Sequence, residues 1–155
     1  MNAAPHRTHR DIVIAERVAA TGIDEAMIRT LVHAFYGKVR ADATLGPVFD
    51  RTITDWEPHL RTMEDFWSSV ALLSGRYHGR PMPVHANLDI GPAQFDRWLP
   101  LFSDTAAEVC PPAAAAFFTD RARNIARSLL TGLYWSCDKS KQNTKKQGVA
   151  LSSNS

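Results

Sequence analysis

Cysteine is scarce in this sequence, which has Cys110 and Cys137 among 155 residues. Two thiols are too few for a disulfide framework and neither belongs to a CxxC pair, so we expect both to be free in a reducing compartment. No run of about 18 apolar residues occurs, which argues against a transmembrane helix. The polar start, residues 1–10, has no apolar stretch behind it like that of a secretory signal. We therefore expect a cytoplasmic protein.

Motifs for several kinds of chemistry are also missing. The sequence has no HExxH pair, no Cys/His quartet, no acidic loop with calcium spacing and no glycine-rich phosphate loop. Its serines and cysteines match no nucleophile motif, and no carboxylate pair is placed for acid–base work. The sequence thus gives no support to a zinc or calcium site, a nucleotide-binding loop or a hydrolase triad.

Charge of one sign is not concentrated in the main part of the chain. The formal net charge is +2, from 18 Lys and Arg against 16 Asp and Glu. Residues 137–155 hold four lysines and one aspartate, which leaves 14 basic and 15 acidic residues in the remainder. Residues 1–136 therefore carry a net charge of −1 and lack the excess of basic residues that is typical of a nucleic-acid-binding domain.

What the sequence does have is apolar residues at helical spacing along most of its length. No run alternates as a strand does, so an all-α fold is predicted, with room for one domain. We expect a polar arm and short helix over residues 1–20, a helical domain over 21–136 and a disordered Lys- and Ser-rich tail over 137–155. Four long helices are predicted in the domain: Asp24 to about Val39, Asp55 to Leu73, Pro92 to Val109 and Pro112 to Trp135.

The segment between the second and third helices, residues 74–93, differs from the rest. Three glycines and three prolines break any long helix there and leave a turn or two around Val84 to Leu88. Val84, His85 and Leu88 share a face of such a short helix. Helical domains normally use short connections, so this long broken segment requires a functional explanation.

Two of the six histidines, His59 and His85, lie beside apolar residues. His59 borders the apolar stripe of the second helix, and His85 lies in the broken segment, which can bring it to face His59 across a gap. A solvated loop histidine is the alternative for each of them. The remaining four are expected to be solvated: His6, His9, His33 and His78.

Aromatic residues lie on the inward stripes of the predicted helices and, in one case, between the first and the second of these helices. An aromatic core explains such residues in any fold, but it does not exclude a pocket, because a flat ligand needs an aromatic lining. The residues concerned are Phe49, Phe66, Trp67, Trp98 and Phe102.

Short runs of sequence follow one another in a characteristic order between Gly22 and Trp135. They are Phe35–Asp42, Leu45–Phe49, Trp56–His59, Phe66-Trp67, Gly79–Pro81 with Val84–Leu88, Phe95–Phe102 and Arg121–Tyr134. Each is weakly specific alone, and together they resemble the group III, or P-type, truncated haemoglobins of the globin superfamily. The resemblance implies a 2-on-2 helical sandwich around a haem b (iron protoporphyrin IX), the trimmed relative of the globin fold.

The resemblance assigns roles by position. His85 resembles the proximal ligand of the iron, which leaves the opposite position for a gas. Tyr36, His59 and Trp98 resemble the residues of the distal, gas-binding side. Met63 departs from the branched aliphatic residue usual in the family, which bears on pocket size. Further haem contacts are expected from Phe49, Leu60, Met63, Phe66, Trp67, Val84, Leu88 and Phe102, and propionate contacts from Arg76, Tyr77 and Arg80.

His59 has two positions open to it. It swings inward to bond the ligand or the iron, or it points outward and acts as a gate at the pocket mouth. Pro58 favours a place in the first helical turn, where a side chain moves without disturbing a packed core. The sequence therefore favours the gate.

The function implied by the resemblance is reversible binding of oxygen, nitric oxide or carbon monoxide, as in oxygen transport. A haem enzyme, a nitric oxide dioxygenase or peroxidase-like catalyst with a reductase as partner, is the alternative, because a polar distal pocket suits both. A haem-free helical interaction module is a third reading. We expect a monomer with neither a nucleic-acid nor a membrane partner.

Overall fold

The structure, a computed structural model, describes residues 5–79 and 90–149, with side chains up to residue 132. Six helices occur in these ranges: α1 (His9–Thr21), α2 (Glu25–Ala41), α3 (Gly46–Asp50), α4 (Trp56–Leu72), α5 (Pro92–Val109) and α6 (Pro112–Val149). None of the described residues lies in a strand. The predicted all-α fold is therefore confirmed.

Aspartate side chains fix where two of the long helices begin. Asp24 Oδ1 accepts a 2.8 Å hydrogen bond from the N–H of Met27 at the start of α2. Asp55 Oδ1 accepts a 3.3 Å bond from the N–H of Glu57 at the start of α4. Each bond satisfies a backbone donor that has no partner inside its helix. These two predicted starts are confirmed, as are the bounds of α5.

Two elements differ from the sequence prediction. The short helix α3 is not among the predicted helices; Gly46 and Pro47 begin it, and a proline in the first turn costs no helical hydrogen bond. The backbone of α6 continues to Val149, past the expected end near Trp135 and into the tail predicted to be disordered, whose residues up to 149 are described. Lysine and glutamine are good helix formers and no proline interrupts this stretch, so its polar composition does not prevent a helix.

The long helices pack as two pairs, α2 with α4 and α5 with α6, and α2 also packs on α5. This is the 2-on-2 sandwich implied by the resemblance. No helix among the described residues combines the length and apolar content needed to cross a bilayer. The core lies where the apolar faces meet, and its members that are at most 2% exposed include Ile28, Leu31, Val32, Phe35, Val39, Phe102 and Phe118.

Arg17 of α1 caps the C-terminal end of α4. Its Nη1 donates to the carbonyl oxygens of Val70 at 3.1 Å and Ala71 at 2.9 Å. The guanidinium carbon also lies 4.9 Å from the ring centroid of Phe117. The last carbonyls of a helix have no partner within it. α1 thus stabilises the end of α4, although Arg17 precedes these two carbonyls by 53 and 54 residues in the sequence.

Replacing Arg17 by Met is expected to lower the free energy of unfolding by about 1–3 kcal/mol, because two carbonyls lose a charged donor. Urea unfolding followed by circular dichroism measures this change. Arg10→Met, on the exposed side of the same helix, is the matched control and should change stability by less than about 0.5 kcal/mol. Equal effects of the two substitutions would contradict the capping role.

Candidate functional site

A cavity of about 300 Å³ lies within the sandwich, and α2, α3, α4, α5 and α6 all contribute to its wall. Its volume falls in the range of about 300–1,000 Å³ that is usual for small-molecule sites. Most of the lining is apolar or aromatic, with a few polar side chains. Such a cavity suits a ligand that is largely apolar and is oriented by a small number of polar contacts.

Many of the residues predicted from the sequence meet at this cavity. Those that line it are Tyr36, Phe49, His59, Met63, Phe66, Trp67, Tyr77 and Trp98. Four other predicted residues, Arg80, Val84, His85 and Leu88, lie outside the described residues. The wall therefore combines the side chains expected on the distal side with part of the expected apolar lining.

Phe102 packs against the two tryptophans that line the cavity. Its ring stacks between Trp67, at a centroid distance of 5.1 Å and an angle of 17°, and Trp98, at 5.4 Å and 11°. Phe35 meets Phe102 edge-on at 5.1 Å and Trp98 edge-on at 5.5 Å. Contacts of this kind stabilise a ring beyond its burial alone. The two tryptophans that line the cavity are thereby held in fixed orientations.

The short helix α3 brings Phe49 to the cavity. A Cβ on Gly46 would lie 2.8 Å from the carbonyl oxygen of Arg40, so only glycine allows α3 to approach the end of α2 so closely. One turn later, Phe49 lines the cavity with its ring centroid 6.2 Å from that of Tyr36.

Tyr36 and His59 lie together at one end of the cavity. The His59 ring meets Tyr36 edge-on at 5.1 Å and Trp56 edge-on at 5.6 Å, both at 90°. The Nε2 atom of His59 is buried. In this structure the imidazole therefore occupies the inward of the two positions considered for it. Trp56 was not predicted as a site residue, because helical spacing alone gave no sign of these ring contacts.

The Tyr36 hydroxyl lies in apolar surroundings. The residue is 4% exposed, and desolvation by burial raises the pKa of its phenol well above the ordinary value. The hydroxyl consequently stays protonated over the physiological range and keeps its proton to donate to a ligand in the cavity.

Sequence reasoning missed the other half of the lining. The polar members are Thr52, Thr62 and Gln94, and the apolar members are Leu45, Ile53, Ile90, Phe95, Ile125, Ala126 and Leu129. Inward stripes had marked several of the apolar residues as buried, but periodicity does not distinguish a cavity wall from a packed core. Gln94 also accepts a 2.8 Å bond from the N–H of Gly91 at the start of α5.

Arg76 lies in a polar cluster rather than in the cavity wall. Its Nη2 donates to Glu25 Oε2 at 2.6 Å and to Ser68 Oγ at 2.9 Å. Its Nε lies 3.4 Å from Asp65 Oδ1. The guanidinium expected to contact a propionate is therefore paired with two carboxylates of this chain. Tyr77, next to it in sequence, does line the cavity.

A second, outer groove lies on the surface of α2 and α4, lined by Arg29, His33, Trp56, Glu57, Leu60, Arg61 and Glu64. Leu60, which the resemblance placed among the haem contacts, thus lies on the outer side of α4, with part of its surface packed on the core. His33 is 51% exposed but its Nε2 lies 2.8 Å from Glu64 Oε1, so it is only partly solvated. The exposure predicted for the other three solvated histidines is confirmed: His6, His9 and His78.

The sequence is similar to a bacterial truncated haemoglobin. It is 32% identical over 117 residues to the group 3 truncated haemoglobin ctb of Campylobacter jejuni, a match that covers 72% of this chain and 92% of that protein. No family model matches the sequence.

Solved structures of truncated haemoglobins and of another bacterial haemoglobin also match this chain. The crystal structure of the group III truncated haemoglobin from Campylobacter jejuni matches with a TM-score of 0.68 and 33% identity, over 72% of this chain and 92% of that one. The haemoglobin of the thermophilic phototrophic bacterium Chloroflexus aurantiacus matches with a TM-score of 0.60 and 26% identity, over 76% and 96% of the two chains. The group II truncated haemoglobin from Bacillus anthracis, at 23% identity and a TM-score of 0.63 over 74% and 94%, shows the fold alone.

Replacing Tyr36 by Phe is expected to make stability less sensitive to alkaline pH. The folded protein keeps this phenol protonated, whereas the unfolded chain releases its proton near pH ~10, so parent stability falls as pH rises through that value. By pH ~11 the free energy of unfolding of the variant should have fallen by about 1 kcal/mol less than that of the parent. Urea unfolding over this pH range measures the difference. Parallel pH profiles for the two proteins would mean that the hydroxyl is solvated.

Proposed function

The chain belongs to the group III truncated haemoglobins, and on this basis we propose that it holds a haem b in the cavity and reversibly binds a diatomic gas beside Tyr36. The observation that carries the proposal is the composition of the cavity wall. Tyr36, His59 and Trp98 meet at a lining whose other members are mostly apolar or aromatic. Family membership implies a haem. We propose in addition the haem type, the kind of gas and the residue that binds the iron.

The residues around the cavity fit a haem. A flat, largely apolar macrocycle needs a lining of rings and aliphatic side chains, which Phe49, Phe66 and Trp67 supply from α3 and α4. The bound group would supply an iron centre that coordinates the gas, held by the neutral imidazole of His85. His85 takes this role from its position in the family pattern.

Two fixed donors would retain the gas. The Tyr36 hydroxyl is buried and protonated, and the indole nitrogen of Trp98 is a donor only. Trp98 cannot turn freely because Phe35 and Phe102 contact its ring. Hydrogen bonds from positioned donors to a ligand that carries partial negative charge slow its dissociation, and the apolar wall strengthens them by excluding water.

His59 would control access to the ligand. Its inward ring lies against Tyr36, where it narrows the cavity on the side of the outer groove. An outward swing would open that side. The gate predicted from the sequence points outward, whereas the ring lies inward here; we therefore propose a revised gate whose closed state is the inward position.

Substituting His85 by Gly is expected to abolish stable haem retention while helix content survives, because the helix pairs are held by their own apolar faces. The ratio of Soret to protein absorbance measures retention, and added imidazole should restore it by replacing the missing ligand. His78→Gly, at an exposed position, is the control. Full haem content with an unchanged spectrum in the His85 variant would exclude it as the ligand.

Tyr36→Phe should release oxygen about ten- to a hundredfold faster than the parent, because the ligand loses one hydrogen bond in a water-poor site. Stopped-flow measurement of oxygen dissociation tests this, with Trp98→Phe as the parallel variant. An unchanged rate for Tyr36→Phe together with faster release from Trp98→Phe would make the indole the principal donor.

A further inference from the structure

Trp56 contacts both the wall of the cavity and the outer groove. Its ring lies 5.9 Å from that of Tyr36 and 5.6 Å from that of His59, both of which line the cavity. The same residue lines the outer groove. Trp56 is the first residue of α4, one turn before His59, so the two side chains lie on one side of the helix. An imidazole that moves from the cavity towards the groove therefore loses or changes its contact with this indole.

Arg40 covers the indole from α2. Its guanidinium carbon lies 4.7 Å from the centroid of the Trp56 ring, a cation–π contact. Arg40 follows Tyr36 by four residues on α2, so the same side of that helix supplies both contacts to Trp56. Arg40 itself is exposed. The tryptophan is thus held between a buried phenol and a surface cation that belong to one rigid helix.

We propose that Trp56 is a positioning residue that keeps His59 in its inward position, and that Arg40 holds Trp56 in place. The inference rests on the proposed haem site, because the position of His59 matters for a ligand only if that ligand lies in the cavity. To swing outward, His59 must give up its edge-on contact with Trp56 as well as that with Tyr36. The Arg40–Trp56 pair therefore sets how often the gate opens, although neither residue touches the ligand.

A purely structural role for Trp56 makes a different prediction. If the indole only filled space, its replacement would lower stability without changing where His59 lies. The position of His59 must therefore be measured directly. Carbon monoxide serves as the probe, since the frequency of its infrared stretching band depends on the polar groups beside it, and its association rate after flash photolysis reports opening of the gate.

The experiment compares five variants of the haem-loaded protein. His59→Ala defines the band and the rate of a pocket without the imidazole. Trp56→Leu removes the ring contact, and Trp56→Phe restores an aromatic edge. Arg40→Gln removes the cation, and Arg61→Gln is its matched control, because Arg61 lines the outer groove together with Trp56 but pairs with Glu57 at 3.5 Å instead of with the indole.

In Trp56→Leu we expect a second carbon monoxide band at the His59→Ala frequency and association about two- to tenfold faster than in the parent. Arg40→Gln should produce the same band more weakly, with association about two- to fivefold faster. Trp56→Phe and Arg61→Gln should keep the parent band and rate. Rescue by phenylalanine distinguishes positioning from a loss of bulk alone.

The parent band and rate in both Trp56→Leu and Arg40→Gln would overturn the inference. If Trp56→Leu fails to fold, Arg40→Gln, which changes only an exposed side chain, decides the question alone. A parent chain that takes up no haem would overturn the proposed function itself. A parent that takes up haem and binds carbon monoxide, with neither variant altered, overturns only the role of Trp56.

Discussion

The stacked rings around Phe102 are the contact on which the rest of this structure depends. Phe102 and Trp98 come from α5, Trp67 comes from α4 and Phe35 comes from α2. Trp67 also meets Phe118 of α6 edge-on at 5.7 Å. The four long helices of the sandwich thus meet in one aromatic cluster. Rings have few rotatable bonds, so the cluster fixes the spacing of the helix pairs and leaves a cavity of defined shape beside it.

The α2 helix shows how one element serves the core, the site and the surface together. Phe35 points into the aromatic cluster, Tyr36 reaches the cavity, and Arg40 covers Trp56 from outside. Successive side chains on a helix are about 100° apart, so neighbours in sequence face different surroundings. A shift of α2 would move all three contacts at once, which couples the packing of the core to the geometry of the site.

The α4 helix is fixed at both ends by contacts from distant parts of the chain. At its start, Arg40 and Tyr36 hold Trp56. Near its end, Arg17 binds two of the last carbonyls, and the buried Ser68 hydroxyl donates to Glu25 Oε1 at 2.6 Å. His59, Met63, Phe66 and Trp67 lie between these anchors, so the side of the cavity that α4 forms is set by interactions outside the cavity.

The sequence by itself determined the four long helices apart from the end of α6, because caps such as Asp24 and Asp55 and the inward stripes depend on residues within a few positions of each other. It also placed Tyr36, His59 and Trp98 in one pocket through their family resemblance. Only the tertiary structure decided that Arg76 pairs with Glu25 and Asp65, and that Trp56 lies against His59. Such pairs depend on how each helix is rotated and crossed against its neighbours, and periodicity along one helix carries no information about that.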